Sequence, residues 1–282
     1  MKILLVGYGD LARRLTPGLL ADGCTVSALR RSPGAVAGVR MFTGDCRDPQ
    51  LLAKALAGQD AVVVTLTPGG FSERDYRDTY VAGAGALAGG IAAAARRPGL
   101  VLWASSTSVY GEDGGEWVDE GSAARPRGFS GRCLLAAEAI IGDLPVPAAV
   151  VRFSGIYGPG RNHLLEAVRS GRCAPAEPVK WTNRIHSDDC AAVLRHLLER
   201  SRAGVSLAPL YLGTDCLPVP LHEVQQWLAA QMGVPVGGGD DERGPSRGNR
   251  RCSNALLLAT GYRFQYPTYR EGYGAQLLCN SE

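Results

Sequence analysis

The sequence lacks a long hydrophobic run. Its most apolar stretch, Val81 to Ala95, consists mainly of Ala and Gly and is shorter than the roughly 20 residues that a membrane span needs. The apolar run before Gly7 is likewise shorter than the roughly 7–15 residues of a secretory signal. These absences predict a cytoplasmic protein with no membrane partner.

The sequence also lacks any pairing pattern among its cysteines and any large excess of charge. Eight cysteines and four histidines are dispersed singly, without a C-x-x-C pair or a Cys–His cluster at zinc-binding spacing, which predicts reduced thiols and no metal site. Thirty basic residues against 27 acidic ones leave a formal charge of +3, too small and too scattered to indicate a nucleic-acid partner. The hydrophobic share of 45% is typical of a globular chain and excludes disordered and fibrous classes.

Short β-rich runs alternate with helical patterns through the first half of the chain. This alternation is typical of a parallel sheet with crossover helices, and it loosens after residue 155, where Pro and Gly become more frequent. We therefore predict an α/β fold. A Rossmann-type, doubly wound parallel sheet covers residues 1–155, parts of 180–212 return to it, and residues 156–282 form a small C-terminal α+β lobe that binds the substrate.

A glycine-rich turn lies directly between the first predicted strand and the first predicted helix. Its G-x-G-x-x-A pattern consists of Gly7, Tyr8, Gly9, Asp10, Leu11 and Ala12. The three small residues permit a tight turn, close approach of the backbone to a pyrophosphate, and close helix–strand packing, while the helix N-terminus offers N–H groups to the phosphates. The pattern predicts a dinucleotide site. The alternative is a structural turn that binds nothing.

The end of the second predicted strand carries Arg30 and Arg31, where an NAD site normally has an acid for the ribose hydroxyls. Because Arg can pair bidentately with a 2′-phosphate, the sequence favours NADP over NAD, unless both side chains are only solvated. Asp45 and Cys46 follow the third strand, where adenine would rest, and Leu66 ends the fourth. Asp45 either accepts a hydrogen bond from the adenine amine or accepts one from a nearby backbone N–H.

Three later segments complete a set of spaced motifs: SSTSVYG at 105–111, RFSGIYGPG at 152–160 and NRIHSDD at 183–189. With the glycine turn, they make the chain resemble an atypical member of the extended short-chain dehydrogenase/reductase superfamily, the NAD(P)-dependent nucleotide-sugar epimerases and dehydratases. The resemblance covers nearly the whole chain. It implies a hydride-transferring oxidoreductase whose substrate is a nucleotide sugar or another small carbonyl or hydroxyl compound.

The resemblance also implies a proton relay in which a Tyr, helped by a Lys four residues later and by a Ser, exchanges a proton with the substrate hydroxyl. Ser106 matches the Ser position, but Ser130 and Leu134 stand at the Tyr and Lys positions. A Ser hydroxyl is a far weaker acid than a phenol and Leu134 carries no charge, so the usual relay cannot operate. The substitute catalytic candidates are Tyr110, Asp119, Glu120 and Tyr157. The alternatives are that the two tyrosines are packed wall residues and that the two acids form a solvated turn.

The substrate is expected to meet Arg152, Tyr157 and Arg161, since Arg is suited to pair with a diphosphate or carboxylate. A rival reading of the whole chain is a non-catalytic dinucleotide-binding sensor or scaffold, because fold alone does not establish turnover.

Assembly as a homodimer is predicted from the helix at 79–96. This helix carries small residues at three- to four-residue spacing, namely Gly83, Ala86, Gly90 and Ala94. Related proteins often pair through helices of this region. The alternative is that the small face packs against its own sheet.

Overall fold

The computed structural model describes residues 1–235 and 248–279. Within these ranges the strands are β1 (Lys2–Val6), β2 (Thr25–Arg30), β3 (Val39–Thr43), β4 (Ala61–Val64), β5 (Leu100–Ser106), β6 (Glu116–Val118), β7 (Ala148–Phe153), β8 (Gly155–Tyr157), β9 (Trp181–Thr182), β10 (Arg184–His186), β11 (Leu210–Gly213), β12 (Val219–Pro220) and β13 (Arg250–Cys252).

The helices of the same ranges are α1 (Asp10–Ala21), α2 (Pro49–Leu56), α3 (Glu73–Tyr76), α4 (Ala82–Ala93), α5 (Phe129–Gly142), α6 (His163–Arg169), α7 (Ser187–Arg202), α8 (Leu221–Met232), α9 (Ala255–Ala259) and α10 (Tyr269–Cys279). A π-helical turn, Arg77–Val81, joins α3 to α4, and a 3₁₀ turn, Thr107–Val109, follows β5.

The central sheet has seven strands in the order β11-β7-β5-β4-β1-β2-β3. β1 lies parallel to β2 and to β4, and the outer neighbours β3 and β5 continue the parallel pairing. The order reverses at β1, where the chain steps to one side through β2 and β3 and then to the other through β4. The predicted α/β fold with a Rossmann-type parallel sheet is confirmed.

Helices cover both faces of the sheet. Alternate residues of each strand point to opposite faces, so neighbouring residues of β1 contact different helices. Leu4 and Val6 of β1 pack into a buried cluster with residues of α2, α4 and α5. Ile3 of the same strand instead lies beside Leu19 of α1 and Leu198 of α7. This double cover explains why Ile3 to Val6 of β1 and all of β4 are apolar runs without a polar alternate.

The small residues of α4 that were expected to form a dimer face point inward. A Cβ at Gly83 would lie 2.9 Å from Leu66, and a Cβ at Gly90 would lie 2.9 Å from Leu56 of α2. These two glycines therefore pack within the chain, against Leu66 and α2, and the predicted homodimer stays a prediction. The exposed face of α4 carries a different set of small residues, Ala82, Gly85, Gly89 and Ala92.

The chain divides into two compact units. The first contains Met1–Val109, Ala124–Arg152 and Ala191–Tyr211, and the second contains Tyr110–Ala123, Phe153–Cys190 and Leu212–Glu282. The first unit holds the glycine turn and most of the sheet. The second has its own core, in which Tyr157, Tyr269 and Tyr273 pack with aliphatic side chains of α6 and α8. The predicted assignment of substrate binding to residues 156–282 stays a prediction.

Candidate functional site

The turn between β1 and α1 has the geometry of an anion site. Gly7 has a φ of +87°, which favours glycine, and a Cβ there would lie 3.0 Å from the carbonyl oxygen of Thr65. Gly9 is the N-cap of α1 and supplies no side-chain cap, and a Cβ on it would meet nothing within 4 Å. No side chain caps the first turn of this 12-residue helix, and the N-terminus of a helix is the end that favours an anion.

The other residues of the turn hold it in place. The buried phenol of Tyr8 donates a hydrogen bond to Thr16 Oγ1 at 3.0 Å, and Asp10 pairs with Arg14 at 2.8 Å. Ala12 is fully buried, so a larger residue would separate α1 from the sheet. Leu11 is half-buried.

A cavity of about 330 Å³ lies in the first unit at the carboxyl ends of β1 to β4. It is lined by Gly7–Gly9, Leu29–Ser32, Gly44–Arg47, Thr65–Thr67, Gly69, Asp75, Asp78 and Thr79. Carboxyl ends of parallel strands at the point where strand order reverses are where open α/β sheets bind ligands. The cavity therefore brings together most of the residues predicted to bind a cofactor.

Arg30, the last residue of β2, and Arg31, which follows it, both line this cavity. The Arg30 guanidinium lies against Gly34, with Nη1 at 3.4 Å from where a Cβ would be. Arg31 is exposed, and its charge helps to lower the pKa of Asp45. Leu66 forms part of the wall and is held there by its contact with Gly83.

Asp45 is paired with Arg47, a residue that the sequence did not single out. Arg47 Nε donates to Asp45 Oδ1 at 3.0 Å and Nη2 donates to Oδ2 at 2.7 Å. These hydrogen bonds hold the pKa of Asp45 below its usual range. Burial raises the pKa of the neighbouring Cys46 thiol. The only feature of the sequence that points to Arg47 is its place in the segment Gly44–Asp48, which directly follows β3.

The three residues predicted to occupy the relay positions lie in the first unit around the start of α5. Ser106 is the last residue of β5, and its Oγ accepts a hydrogen bond from Ser108 N at 3.2 Å. A Cβ at Gly131 would lie 2.6 Å from Ser108 O, so the first turn of α5, which includes the half-buried Ser130, packs directly on the loop after Ser106. Leu134 follows one turn later and is 3% exposed.

Arg152 does not offer its charge to an incoming anion. Its Nε and Nη2 donate to the Glu138 carboxylate, with a shortest distance of 2.6 Å, and both side chains are buried. Ser105 donates its hydroxyl proton to the same carboxylate. Arg152 of β7 and Ser105 of β5 thus both bind the Glu138 carboxylate of α5, and Arg152 has a structural role next to Ser106.

Tyr110 and Asp119 lie close together in the second unit, but both are engaged in local structure. The buried Tyr110 phenol donates to the backbone oxygen of Asp119 at 2.7 Å. The exposed Asp119 carboxylate accepts from Gly121 N and Ser122 Oγ, both at 3.0 Å, as in a turn. These contacts favour the wall and turn alternatives over acid–base roles.

Tyr157 is part of the core of the second unit. Its ring packs 4.4 Å from that of Tyr273, and its hydroxyl donates to Thr268 O at 3.4 Å. Burial, the largest cause, and the charge of Asp215 raise the pKa of the phenol above its usual range, so it stays protonated and is a weak proton donor. Arg161 is exposed and follows two glycines of positive φ, Gly158 and Gly160.

A family model for NAD(P)H-binding proteins matches residues 7–152, which contain the whole cavity and the relay positions. The chain belongs to this NAD(P)H-binding family. A solved structure from Methylobacillus flagellatus, described as an NAD-dependent epimerase/dehydratase, is 36% identical and covers 100% of this chain and 99% of its own, with a TM-score of 0.84. The resemblance to the extended short-chain dehydrogenase/reductase superfamily is thereby confirmed.

Two curated relatives also match over most of their length. Protein YeeZ of Escherichia coli (strain K12) is 27% identical over 94% of this chain and 96% of its own. The 2-alkyl-3-oxoalkanoate reductase of Stenotrophomonas maltophilia (strain K279a) is 29% identical over 93% of this chain and 81% of its own. MoeE5 in complex with UDP-glucuronic acid and NAD, at 22% identity, a TM-score of 0.81 and 100% coverage of both chains, shares the fold.

Within residues 1–235 and 248–279, no three His, Cys, Asp or Glu side chains come together as a group that could hold a metal ion. In the same part of the chain, no helix has the length and hydropathy that crossing a bilayer requires.

Proposed function

We propose that this protein is an NADP(H)-preferring oxidoreductase of the epimerase/dehydratase type with altered proton chemistry. The observation that carries the proposal is the cavity at the ends of β1 to β4, which has an uncapped helix N-terminus at Gly9 and two arginines at the end of β2. An NAD site would place a carboxylate at that strand end. A guanidinium there suits a 2′-phosphate instead.

The residue types that line the cavity suit a dinucleotide. Gly7 and Gly9 have no side chain to block a pyrophosphate, Arg30 and Arg31 line the cavity at the end of β2, and Leu66 supplies an apolar wall. When bound, the nicotinamide group of such a cofactor accepts or donates a hydride. The protein must then hold a substrate and move one proton.

The proton step is where this chain departs from its superfamily. We assign Ser130 and Leu134 to the places of the relay Tyr and Lys, on the strength of their position on α5 against the loop after Ser106. With Leu134 buried and uncharged, nothing at that position lowers the pKa of a neighbouring hydroxyl. Turnover is therefore expected to lack the roughly 10²–10⁴-fold that a general acid or base provides.

The first substrate class is a nucleotide sugar or a similar anionic compound, as bound by MoeE5. In this chain, the exposed Arg161 on the Gly158–Gly160 loop supports that class, since its guanidinium can pair with a diphosphate. Arg152 does not, because Glu138 takes its donors.

A second substrate class is favoured by an aromatic cluster beside Ser130. Phe71 is 63% exposed, and its ring lies 5.1 Å from Phe129 and 5.6 Å from Tyr76. Phe129 immediately precedes Ser130, and the neighbouring residues Gly69 and Asp75 line the cofactor cavity. The alkyl chains of a 2-alkyl-3-oxoalkanoate, the compound in the name of the Stenotrophomonas reductase, would find a hydrophobic surface there.

The deciding experiment has two parts. Titration calorimetry with NADP⁺ and NAD⁺ is expected to show at least about tenfold tighter binding of NADP⁺, since a hydrogen bond to a charged group contributes about 1.5–3 kcal/mol. Equal dissociation constants would overturn the preference. Consumption of NADPH and conversion of the substrate, analysed by chromatography, are then followed with a panel of sugar nucleotides and 2-alkyl-3-oxo acids, because epimerisation regenerates the cofactor whereas reduction consumes it. NADP⁺ binding without conversion of any of these substrates would favour the rival function, a dinucleotide-binding sensor or scaffold.

A further inference from the structure

The ends of β2 and β3 place three arginines and one aspartate on one wall of the cavity. Arg30 is paired with Thr43 in the parallel register, and Gly44 N donates to Arg30 O at 2.9 Å. The residues that follow, Arg31 on one strand and Asp45 on the next, are therefore neighbours. Their charges interact, because Arg31 contributes to lowering the pKa of Asp45.

Arg47 extends this wall, and its guanidinium is held in a fixed orientation. One edge, formed by Nε and Nη2, is bonded bidentately to Asp45, and the backbone N–H of Arg47 donates to Asp45 Oδ1 at 2.9 Å. The ion pair raises the pKa of Arg47 further above its usual value, so the charge is permanent. The side chain remains 44% exposed and lines the cavity, which leaves the Nη1 edge for a ligand.

We propose that Arg47 is a third residue that recognises the cofactor's 2′-phosphate and so helps to set the preference for NADP(H). The inference rests on the proposed function, because it concerns the same cofactor. A guanidinium whose Nε edge is already fixed by a carboxylate loses less rotational freedom on binding an anion than a free side chain does. Arg31 and Arg47 lie on either side of Asp45 in this row of charges, and the phosphate would add a second negative charge that contacts the arginines.

The remaining charges of the cavity lie on another segment. Asp75 and Asp78 line it from α3 and the π-helical turn. Asp75 accepts a hydrogen bond from Ser72 Oγ at 2.6 Å, and Asp78 lies 3.8 Å from Arg74. Asp78 also contributes to raising the pKa of Arg47. Cations are thus concentrated at the β2 and β3 ends, where a phosphate carrying about two negative charges is favoured.

The test uses two probes that differ only in the 2′-phosphate, namely 2′-phospho-ADP-ribose and ADP-ribose, titrated by calorimetry into the full-length protein. Arg47→Gln is expected to weaken binding of 2′-phospho-ADP-ribose about tenfold, as for loss of a charge-assisted hydrogen bond, and to change ADP-ribose binding less than about twofold. The matched control is Arg96→Gln, which removes the same charge from an exposed ion pair with Asp60 outside the cavity. It should leave both dissociation constants unchanged.

Arg31→Gln separates failure of the inference from failure of the proposed function. If the wild type prefers the 2′-phosphate and Arg31→Gln loses the preference while Arg47→Gln keeps it, only the inference about Arg47 is wrong. A wild type that binds both probes equally overturns the proposed preference and the inference together. An equal loss of affinity for both probes in Arg47→Gln would assign Arg47 a purely structural role and also overturn the inference.

Discussion

Asp215, in the second unit, is a buried carboxyl group without a full set of partners. Its Oδ1 accepts from Leu217 N at 3.2 Å, whereas Oδ2 has no hydrogen-bond partner among the described residues. Burial raises its pKa to about 7, against the opposing effect of the Arg184 guanidinium, and the carboxylates of Asp189 and Glu271 add to the rise. At neutral pH the folded protein therefore holds a carboxyl group that is partly protonated.

Because of this carboxyl group, we expect the free energy of unfolding to fall as pH rises. Its pKa is higher in the folded chain than in the unfolded chain, so the folded state binds the proton more tightly and the free energy of unfolding declines between about pH 4 and pH 7. Asp215→Asn imitates the protonated form and should remove much of that decline. Urea unfolding at pH 5 and pH 8 measures it, and a variant with the same pH dependence as wild type would contradict the assignment.

The Arg152–Glu138 pair makes a second prediction at the scale of residues. Arg152→Met leaves the Glu138 carboxylate buried without its counter-charge, which should lower the free energy of unfolding by about 3–5 kcal/mol. The exposed pair removed in Arg96→Gln should cost less than about 1 kcal/mol. Urea denaturation of both variants tests the difference, and a similar small loss in both would show that the buried pair is dispensable.

At the scale of elements, α5 contains the two positions that we propose correspond to the relay Tyr and Lys. Ser130 and Leu134 are one helical turn apart, so Ser130→Tyr/Leu134→Lys places an ammonium near a phenol on one helix face. If the relay was lost in this chain, the double variant should gain oxidoreductase activity on a substrate of the panel, by up to about 10²–10⁴-fold. Assays of NADPH consumption measure the gain.

Because Leu134 is buried, folding must be checked before activity is compared. An inserted Lys at a site that is 3% exposed costs stability unless it finds a partner. Circular dichroism and NADP⁺ affinity are the controls. A well-folded, NADP⁺-binding double variant that is no faster than an active wild type would show that the proton moves through another residue.

The exposed face of α4 is where we expect two copies of the chain to pair. Gly85 and Gly89 lie four residues apart on this face, and a Cβ at either would meet nothing within 4 Å, so a second α4 could approach closely there. We expect a homodimer that Gly89→Glu converts to monomers, while Gly89→Ala, which is nearly as small, remains dimeric. Light scattering gives the mass, and a wild-type value near 29.7 kDa at micromolar concentration would contradict the pairing.

At the scale of the whole molecule, the sheet and its phosphate-binding turn could be predicted from local sequence. Buried strands on a doubly covered sheet must be apolar on both faces, so β1 and β4 are continuous apolar runs. The turn needs glycine at position 7 because its φ is positive and its backbone lies against Thr65. The apolar runs and the positive φ of Gly7 each depend on a few consecutive residues and therefore leave a local pattern, whereas the contact of Gly7 with Thr65 joins distant residues.

The partners of polar side chains could not be predicted in this way. Arg152 has a guanidinium group that could bind an anion, and only the packing of β7 against α5 places Glu138 beside it. Arg47 has no motif, yet the neighbouring ends of β2 and β3 bring it to the cofactor cavity. The sequence by itself determined the fold, the dinucleotide turn and the absence of an acid after β2, because these depend on local backbone and burial requirements. Only the tertiary structure decided which charges pair, which face of α4 is exposed and which side chains reach the cavity, because those contacts join residues that are distant in the chain.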